Sequence, residues 1–276
     1  MSVLSEHFVM SNGVSIPKLG LGTWQTPQDV APGAVEMALA AGYTHIDTAR
    51  AYRNEAGVAR GLRASGMPRE QVFVTSKVAA EYKSYDEAKA SIATSLRELD
   101  TYIDLLLIHA PRPWSEMFSG ADKRYFAENR QVWQAMEEAY RRGDVKAIGV
   151  SNFAIDDLTN ITDHCEVVPV ANQINFHIGH TQDEVTAYCQ ANGILVEAYS
   201  PIATGALLGN KDILSVAKEY GVSVAQVCIR YTLQKGCVSL PKSTHREYIL
   251  QNAAVDFEIS AQHMAALDAL DVGDVD

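Results

Sequence analysis

The sequence predicts an α/β chain closed into a (β/α)8 TIM barrel, preceded by an N-terminal β-hairpin. Three observations carry this. Eight short apolar runs recur along the 276 residues, segments of helical period separate them, and most of those segments end in a glycine. Strands alternating with helices favour a parallel sheet, and eight repeats favour its closure. An open doubly wound sheet that holds a dinucleotide needs a glycine-rich phosphate turn early in the chain. Gly20-Leu21-Gly22-Thr23-Trp24-Gln25 has Gln25 where a third glycine would stand, and no βα unit precedes it.

Phe8 to Val9 and Val14 to Ile16 are short apolar runs around Asn12-Gly13, a pair that tolerates the positive φ angles of a tight hairpin turn. Leu19 to Leu21 is the first repeating strand. Thr44 to Ile46, Val72 to Val74, Ile103 to Ile108, Ala147 to Val150, Val168 to Asn172, Ile194 to Val196 and Cys237 to Leu240 are the other seven. Between them the pattern predicts helices such as Ala31 to Ala41, Glu55 to Ser65, Asp86 to Leu99, Glu128 to Arg142, Asp183 to Gln190 and Val224 to Gln234. Gly42, Gly66, Gly143, Gly193 and Gly236 mark helix ends.

A chain of this length with 47% hydrophobic residues can bury one large core, so residues 1–276 are expected to form a single domain. The formal net charge of −11 and the lack of a basic stripe argue against nucleic acid as a partner. No window approaches the ~18 apolar residues of a membrane span, and MSVLSEHFVM lacks the basic start of a leader. Cys165, Cys189, Cys228 and Cys237 form no CxxC pair. A cytoplasmic, monomeric protein with reduced thiols is expected.

Barrels of this type carry their active site at the C-terminal ends of the strands. The polar residues that end successive runs are Asp47, Lys77, His109, Ser151 with Asn152, Gln173, Glu197 to Ser200, and Lys242. One polar strand end is usually a solvated loop residue; seven in register point to a mouth. A tyrosine has an ordinary pKa near ~10, and an adjacent ammonium would lower it. Tyr52 and Lys77 suit that pairing. Asp47 would orient the lysine, and His109 would donate to a substrate oxygen, so the four would surround a developing alkoxide. The plainer alternative is a structural Asp47–Lys77 salt bridge at the rim, with Tyr52 an amphipathic loop residue.

Gly42-Tyr43-Thr44-His45-Ile46-Asp47-Thr48-Ala49 is followed by Tyr52-Arg53-Asn54-Glu55, then by Val74-Thr75-Ser76-Lys77, Tyr102 to His109, and Ile148-Gly149-Val150-Ser151-Asn152-Phe153. These ordered motifs resemble the aldo-keto reductase family, from the hairpin to the last helix. The resemblance implies Tyr52 as general acid assisted by Lys77, Asp47 and His109, acting on small aldehydes, ketones, dicarbonyls or keto-sugars. It also implies NADPH/NADP+ across the mouth, with NADH a weaker alternative. Asn152 and Gln173 would hold the carboxamide with help from Ser151, and Tyr199 would stack on the nicotinamide. Thr23 and Asp47 would meet the ribose, and Ser200 to Leu208, including Leu207, the pyrophosphate. Lys242, Ser243, Thr244, Arg246, Gln251 and Asn252 would form the adenosine end.

Three departures stand out. Tyr248 occupies the position of a family arginine, which leaves Arg246 and Lys242 to meet a 2′-phosphate and softens the expected NADPH preference. Ala110-Pro111 replaces Trp-Pro after the histidine, which opens the pocket wall unless Trp114 or Phe118 fills it. The tail is short, so a broad pocket lined by Trp24, Tyr52, Ala110 and Trp114 is expected. Length and motifs are most similar to bacterial members of the 2,5-diketo-gluconate reductase type. Two other functions fit the barrel: a Schiff-base aldolase using Lys77, or a catalytically idle nucleotide-binding subunit. His177 and His180 lack a further ligand at metal spacing, and His164-Cys165 lacks the electropositive setting of a reactive thiol.

Overall fold

Asn12-Gly13 turns the chain as its residue types require: Gly13 adopts φ +84°, and Val14 N donates to Asn12 Oδ1 at 3.1 Å. The flanking strands β1 (His7–Val9) and β2 (Ser15–Pro17) pair antiparallel with Phe8 opposite Ile16. Met10 and Ile16 pack with Phe73, Leu105, Ala147, Val170 and Val238, residues at the starts of barrel strands. The hairpin therefore plugs the N-terminal end of the barrel and leaves the opposite end open. The computed structural model describes residues 2–117 and 123–273; Phe118, a candidate wall residue, lies outside them.

Eight parallel strands follow in sequence order: β3 (Leu21–Gly22), β4 (His45–Asp47), β5 (Phe73–Val78), β6 (Leu105–Ile108), β7 (Ile148–Ser151), β8 (Ala171–Asn175), β9 (Leu195–Tyr199) and β10 (Val238–Leu240). The seam between first and last closes by parallel bridges, Leu19 with Ser239 and Gly22 with Lys242. Gly22 N donates to Pro241 O at 3.0 Å. A side chain at Gly20 would stand 2.7 Å from the His45 ring and 2.8 Å from Leu240, so close approach at the seam requires glycine there.

The helices are α1 (Ala31–Ala40), α2 (Glu55–Ala64), α3 (Tyr85–Leu99), α4 (Trp114–Met117), α5 (Phe126–Arg142), α6 (Ile155–Thr162), α7 (Asp183–Ala191), α8 (Lys211–Tyr220), α9 (Val224–Gln234), α10 (Arg246–Ala253) and α11 (Ala261–Asp268). Every helix expected from periodicity forms within about two residues of its reading, a normal uncertainty for helix ends. Gly42, Gly66, Gly143, Gly193 and Gly236 all take positive φ, as helix-ending glycines do. Ser84 caps α3 by accepting from Glu87 N, and Ser223 with Gln226 forms a capping box on α9.

One strand moves. The run Val168 to Asn172 was expected to be strand, yet β8 begins at Ala171, because Pro169 has no N–H for the ladder and Val168 is half exposed. The register of β8 against β9 then sets Gln173 opposite Glu197.

Candidate active site

All four residues of the expected proton-transfer group meet at the open end. Asp47 ends β4, Lys77 lies in β5, His109 follows β6, and Tyr52 ends a single 3-10 turn, Arg50–Tyr52. Lys77 Nζ donates to both oxygens of Asp47 at 2.8 Å and to Thr48 O at 2.9 Å. An ammonium has three protons, and each has an acceptor. Burial alone would push the Lys77 pKa down, but Asp47 more than offsets it, so the amine is held charged.

Tyr52 leans over this ammonium, with Lys77 Nζ 5.1 Å from the ring centre, and its Oη lies 3.5 Å from His109 Nε2. The expectation of a lowered Tyr52 pKa needs correction. Removal of the phenolate from water pushes the pKa up by more than Lys77 pulls it down, and Asp47 adds to the rise. Tyr52 is thereby kept as the protonated acid. His109 is driven well below its ordinary pKa, first by burial and then by Lys77, so the ring is neutral. Its Nδ1 has no hydrogen-bond partner among the described residues.

A supporting network went unassigned in the sequence. Arg50 joins the Tyr52 turn to Glu55 at 3.0 Å and to Glu98 at 2.6 Å. Glu55, fully buried, accepts from Ser76 Oγ at 2.6 Å, and Ser76 immediately precedes Lys77. Asn54 donates to Thr23 O and Thr26 O at 2.9 Å and accepts from Thr48 Oγ1 at 2.7 Å. Asn54 at a helix start and Glu55 in the first turn look like ordinary capping residues, and only their place in the motif Tyr52-Arg53-Asn54-Glu55 sets them apart.

The residues expected to meet nicotinamide also converge. Gln173 Nε2 donates to Asp47 Oδ2 at 2.9 Å and to Glu197 Oε2 at 3.2 Å. Ser151 Oγ donates to Gln173 O at 2.8 Å, and Asn152, at φ +60°, donates to His109 O at 3.1 Å and accepts from Tyr199 Oη at 2.8 Å. Thr23 is fully buried with its hydroxyl given to Asp47 O, and Leu207 is packed in the core; any contact from these two is made by lone pair or backbone. Ser200, Ala203 and Thr204 all take positive φ, so this stretch presents backbone in an unusual conformation.

The expected adenosine end is laid out differently. Lys242, Arg246, Tyr248 and Gln251 are exposed, whereas Ser243 and Asn252 are buried and Thr244 is half-buried. Arg246 borders a surface groove with Glu36, Met37, Ser65 and Leu250. On the substrate side, Trp24 is half exposed, Ala110 is buried, and the Trp114 ring stands edge-on to His109 at 5.1 Å. Lys83 Nζ donates to Ala110 O and Asn129 Oδ1 at 3.0 Å, and Asn129 Nδ2 donates to Pro111 O at 2.9 Å, which fixes the wall after His109.

Residues 18–272 match the Aldo/keto reductase family. The chain belongs to that family. Its relatives within the aldo/keto reductases include the glyoxal reductase of Bacillus subtilis (strain 168), 40% identical over 270 residues that cover 97% of this chain and 93% of that one. The 9,11-endoperoxide prostaglandin H2 reductase of Trypanosoma cruzi is 39% identical over 95% of this chain and 90% of its own. Among solved structures, an aldo/keto reductase from Brucella melitensis superposes with TM-score 0.88 at 35% identity, over 95% of this chain and 98% of that one. A Bombyx mori aldo-keto reductase in complex with NADP gives 0.87 at 32%, over 98% and 94%.

Proposed function

We propose that this aldo/keto reductase uses NADPH to reduce the carbonyl group of small aldehydes, ketones, dicarbonyls or keto-sugars, with Tyr52 as the proton donor. One observation carries the reading: the Tyr52 hydroxyl lies 3.5 Å from a neutral His109, above an ammonium whose protons are committed to Asp47 and Thr48. A carbonyl oxygen set between Oη and Nε2 would face two neutral donors backed by a fixed positive charge, the arrangement that stabilises a developing alkoxide. A proton on Nε2 leaves the buried Nδ1 of His109 as a bare lone pair, which costs less than a buried N–H without an acceptor. After Tyr52 gives up its proton, Lys77 stabilises the phenolate.

The donor set fits a nicotinamide dinucleotide. Both N–H bonds of Gln173 are held by carboxyl groups, which leaves its oxygen as an acceptor for a carboxamide N–H; Asn152 and Ser151 stand beside it. Tyr199 would stack on the ring, the backbone from Ser200 to Leu208 would cradle the phosphates, and Lys242 with Arg246 would meet the 2′-phosphate. The bound cofactor supplies a hydride. A relative named glyoxal reductase and a relative in complex with NADP support this reading.

A Schiff-base aldolase would need a neutral, unengaged Lys77 amine, the opposite of its surroundings. The test is NADPH oxidation across a panel of aldehydes and diketones, in wild type and Tyr52→Phe. Turnover by wild type that the variant loses, with NADP+ binding retained, is the expected result. Tight NADP+ binding without turnover of any panel member favours the idle subunit; an active Tyr52→Phe removes Tyr52 from its role.

A further inference from the structure

Glu197 has no part in the proton-transfer group, yet it lies at its base. It sits in β9 one inward-facing position below Tyr199, is completely buried, and faces Asp47 from β4, Lys77 from β5 and Gln173 from β8. A carboxyl group this deep is costly unless something uses it. Only Oε2 is engaged, by Gln173 Nε2 at 3.2 Å; Oε1 has no hydrogen-bond partner among the described residues. Burial first, and then the neighbouring Asp47, push its pKa up to about 8, so at neutral pH it is a neutral acid.

The geometry at Gln173 explains what such a group does. A planar amide has two N–H bonds and one oxygen. Both oxygens of Asp47 accept from Lys77 Nζ, so Asp47 fixes Gln173 Nε2 toward itself at 2.9 Å and excludes the flipped amide, which would set oxygen against oxygen. One anchor still lets the amide swing about that bond, with either its oxygen or its second N–H toward the mouth. A second anchor removes the freedom. We propose that Glu197 is a positioning residue: by taking the second N–H of Gln173 it turns the glutamine oxygen toward the barrel mouth, where it selects for the amide N–H of the nicotinamide carboxamide.

The inference rests on the reductase reading, and the test separates the two. Calorimetry measures binding of NADP+, of its 3-acetylpyridine analogue, which has methyl in place of the carboxamide NH2, and of adenosine 2′,5′-bisphosphate, which lacks the nicotinamide. Wild type and Glu197→Gln, which keeps an acceptor oxygen, should prefer NADP+ over the analogue by about fivefold or more, as one neutral hydrogen bond allows. In Glu197→Met that preference should shrink by about fivefold while bisphosphate binding stays within about twofold, since the lost selectivity is one hydrogen bond at the other end of the ligand. Glu197→Leu is read in the same way should the methionine variant not fold.

A preference that survives in the Met or Leu variant overturns the inference, and so does a wild type that binds both dinucleotides equally. Failure of wild type to bind either NADP+ or the bisphosphate overturns the reductase reading itself. A general loss of structure would weaken all three ligands together; only a positioning role changes the ratio between the two dinucleotides.

Discussion

The two ends of the mouth are built on different principles. Around Lys77 the polar groups are buried and tied to one another: Asp47 to Lys77 and Gln173, Gln173 to Glu197, Asn152 to Tyr199. Along residues 242–252, Lys242, Arg246, Tyr248 and Gln251 stand exposed. The first region is assembled before any ligand arrives, and fixed dipoles stabilise charge without reorganising. If the second region meets the cofactor as proposed, its side chains are ordered only on binding, which costs side-chain freedom and limits affinity. The proposed proton transfer demands rigidity at one end, and the proposed phosphate contact tolerates mobility at the other.

The strongest way to break this contrast is at the proposed acid. Tyr52→Phe should lower kcat by on the order of a thousandfold, the usual range for a general acid, with the Kd for NADP+ unchanged. Comparable loss from a change among residues 242–252 would contradict the division. Next is the buried pair. Lys77→Met leaves Asp47 without its ion-pair partner in a site where Lys77 is 1% exposed, and should cost about 3–5 kcal/mol in denaturant unfolding, as broken buried pairs do. A cost typical of a surface bridge would mean that water reaches Asp47.

Glu197 gives the contrast a pH signature. Its pKa is raised to about 8 from an unfolded value of 4.5, so between those values the folded chain holds a proton that the unfolded chain has released. Stability from this group is present in full below pH 4.5 and is lost as the pH rises toward 8, by a few kcal/mol in the ideal limit. Glu197→Gln should therefore flatten the fall of Tm across that window. Parallel Tm profiles for variant and wild type would show that Glu197 is not held neutral.

The smallest effects belong to the exposed end. Lys242→Met should reduce the kcat/KM preference for NADPH over NADH by about tenfold, the worth of one charge-assisted hydrogen bond, and Arg246→Ala by less, because its side chain also borders the groove with Glu36. An unchanged ratio in both variants would remove residues 242 and 246 from phosphate recognition.

Much of the site was legible because of a topological rule. Asp47, Lys77, His109, Asn152 and Gln173 each end an apolar run, and parallel strands carry all such ends to one face. Tyr52 was legible through family resemblance more than through pattern, since it lies on a turn. The network of Arg50, Asn54, Glu55 and Ser76 was not, because its members read as helix starts and strand interior. Their meaning depends on partners up to 48 residues away, as with Arg50 and Glu98.

By itself the sequence determined the alternation of strand and helix, the hairpin, the glycine-marked helix ends and the identity of the groups at the mouth. These follow from local periodicity, turn chemistry and residue type, all of which are properties of neighbours along the chain. Tertiary structure decided the rest. It set β8 beyond Pro169 and so Gln173 opposite Glu197, it reversed the expected direction of the Tyr52 pKa, and it made a neutral acid of Glu197. Each of these depends on how far a group is removed from water and which charge stands beside it, and both are fixed only when the barrel closes.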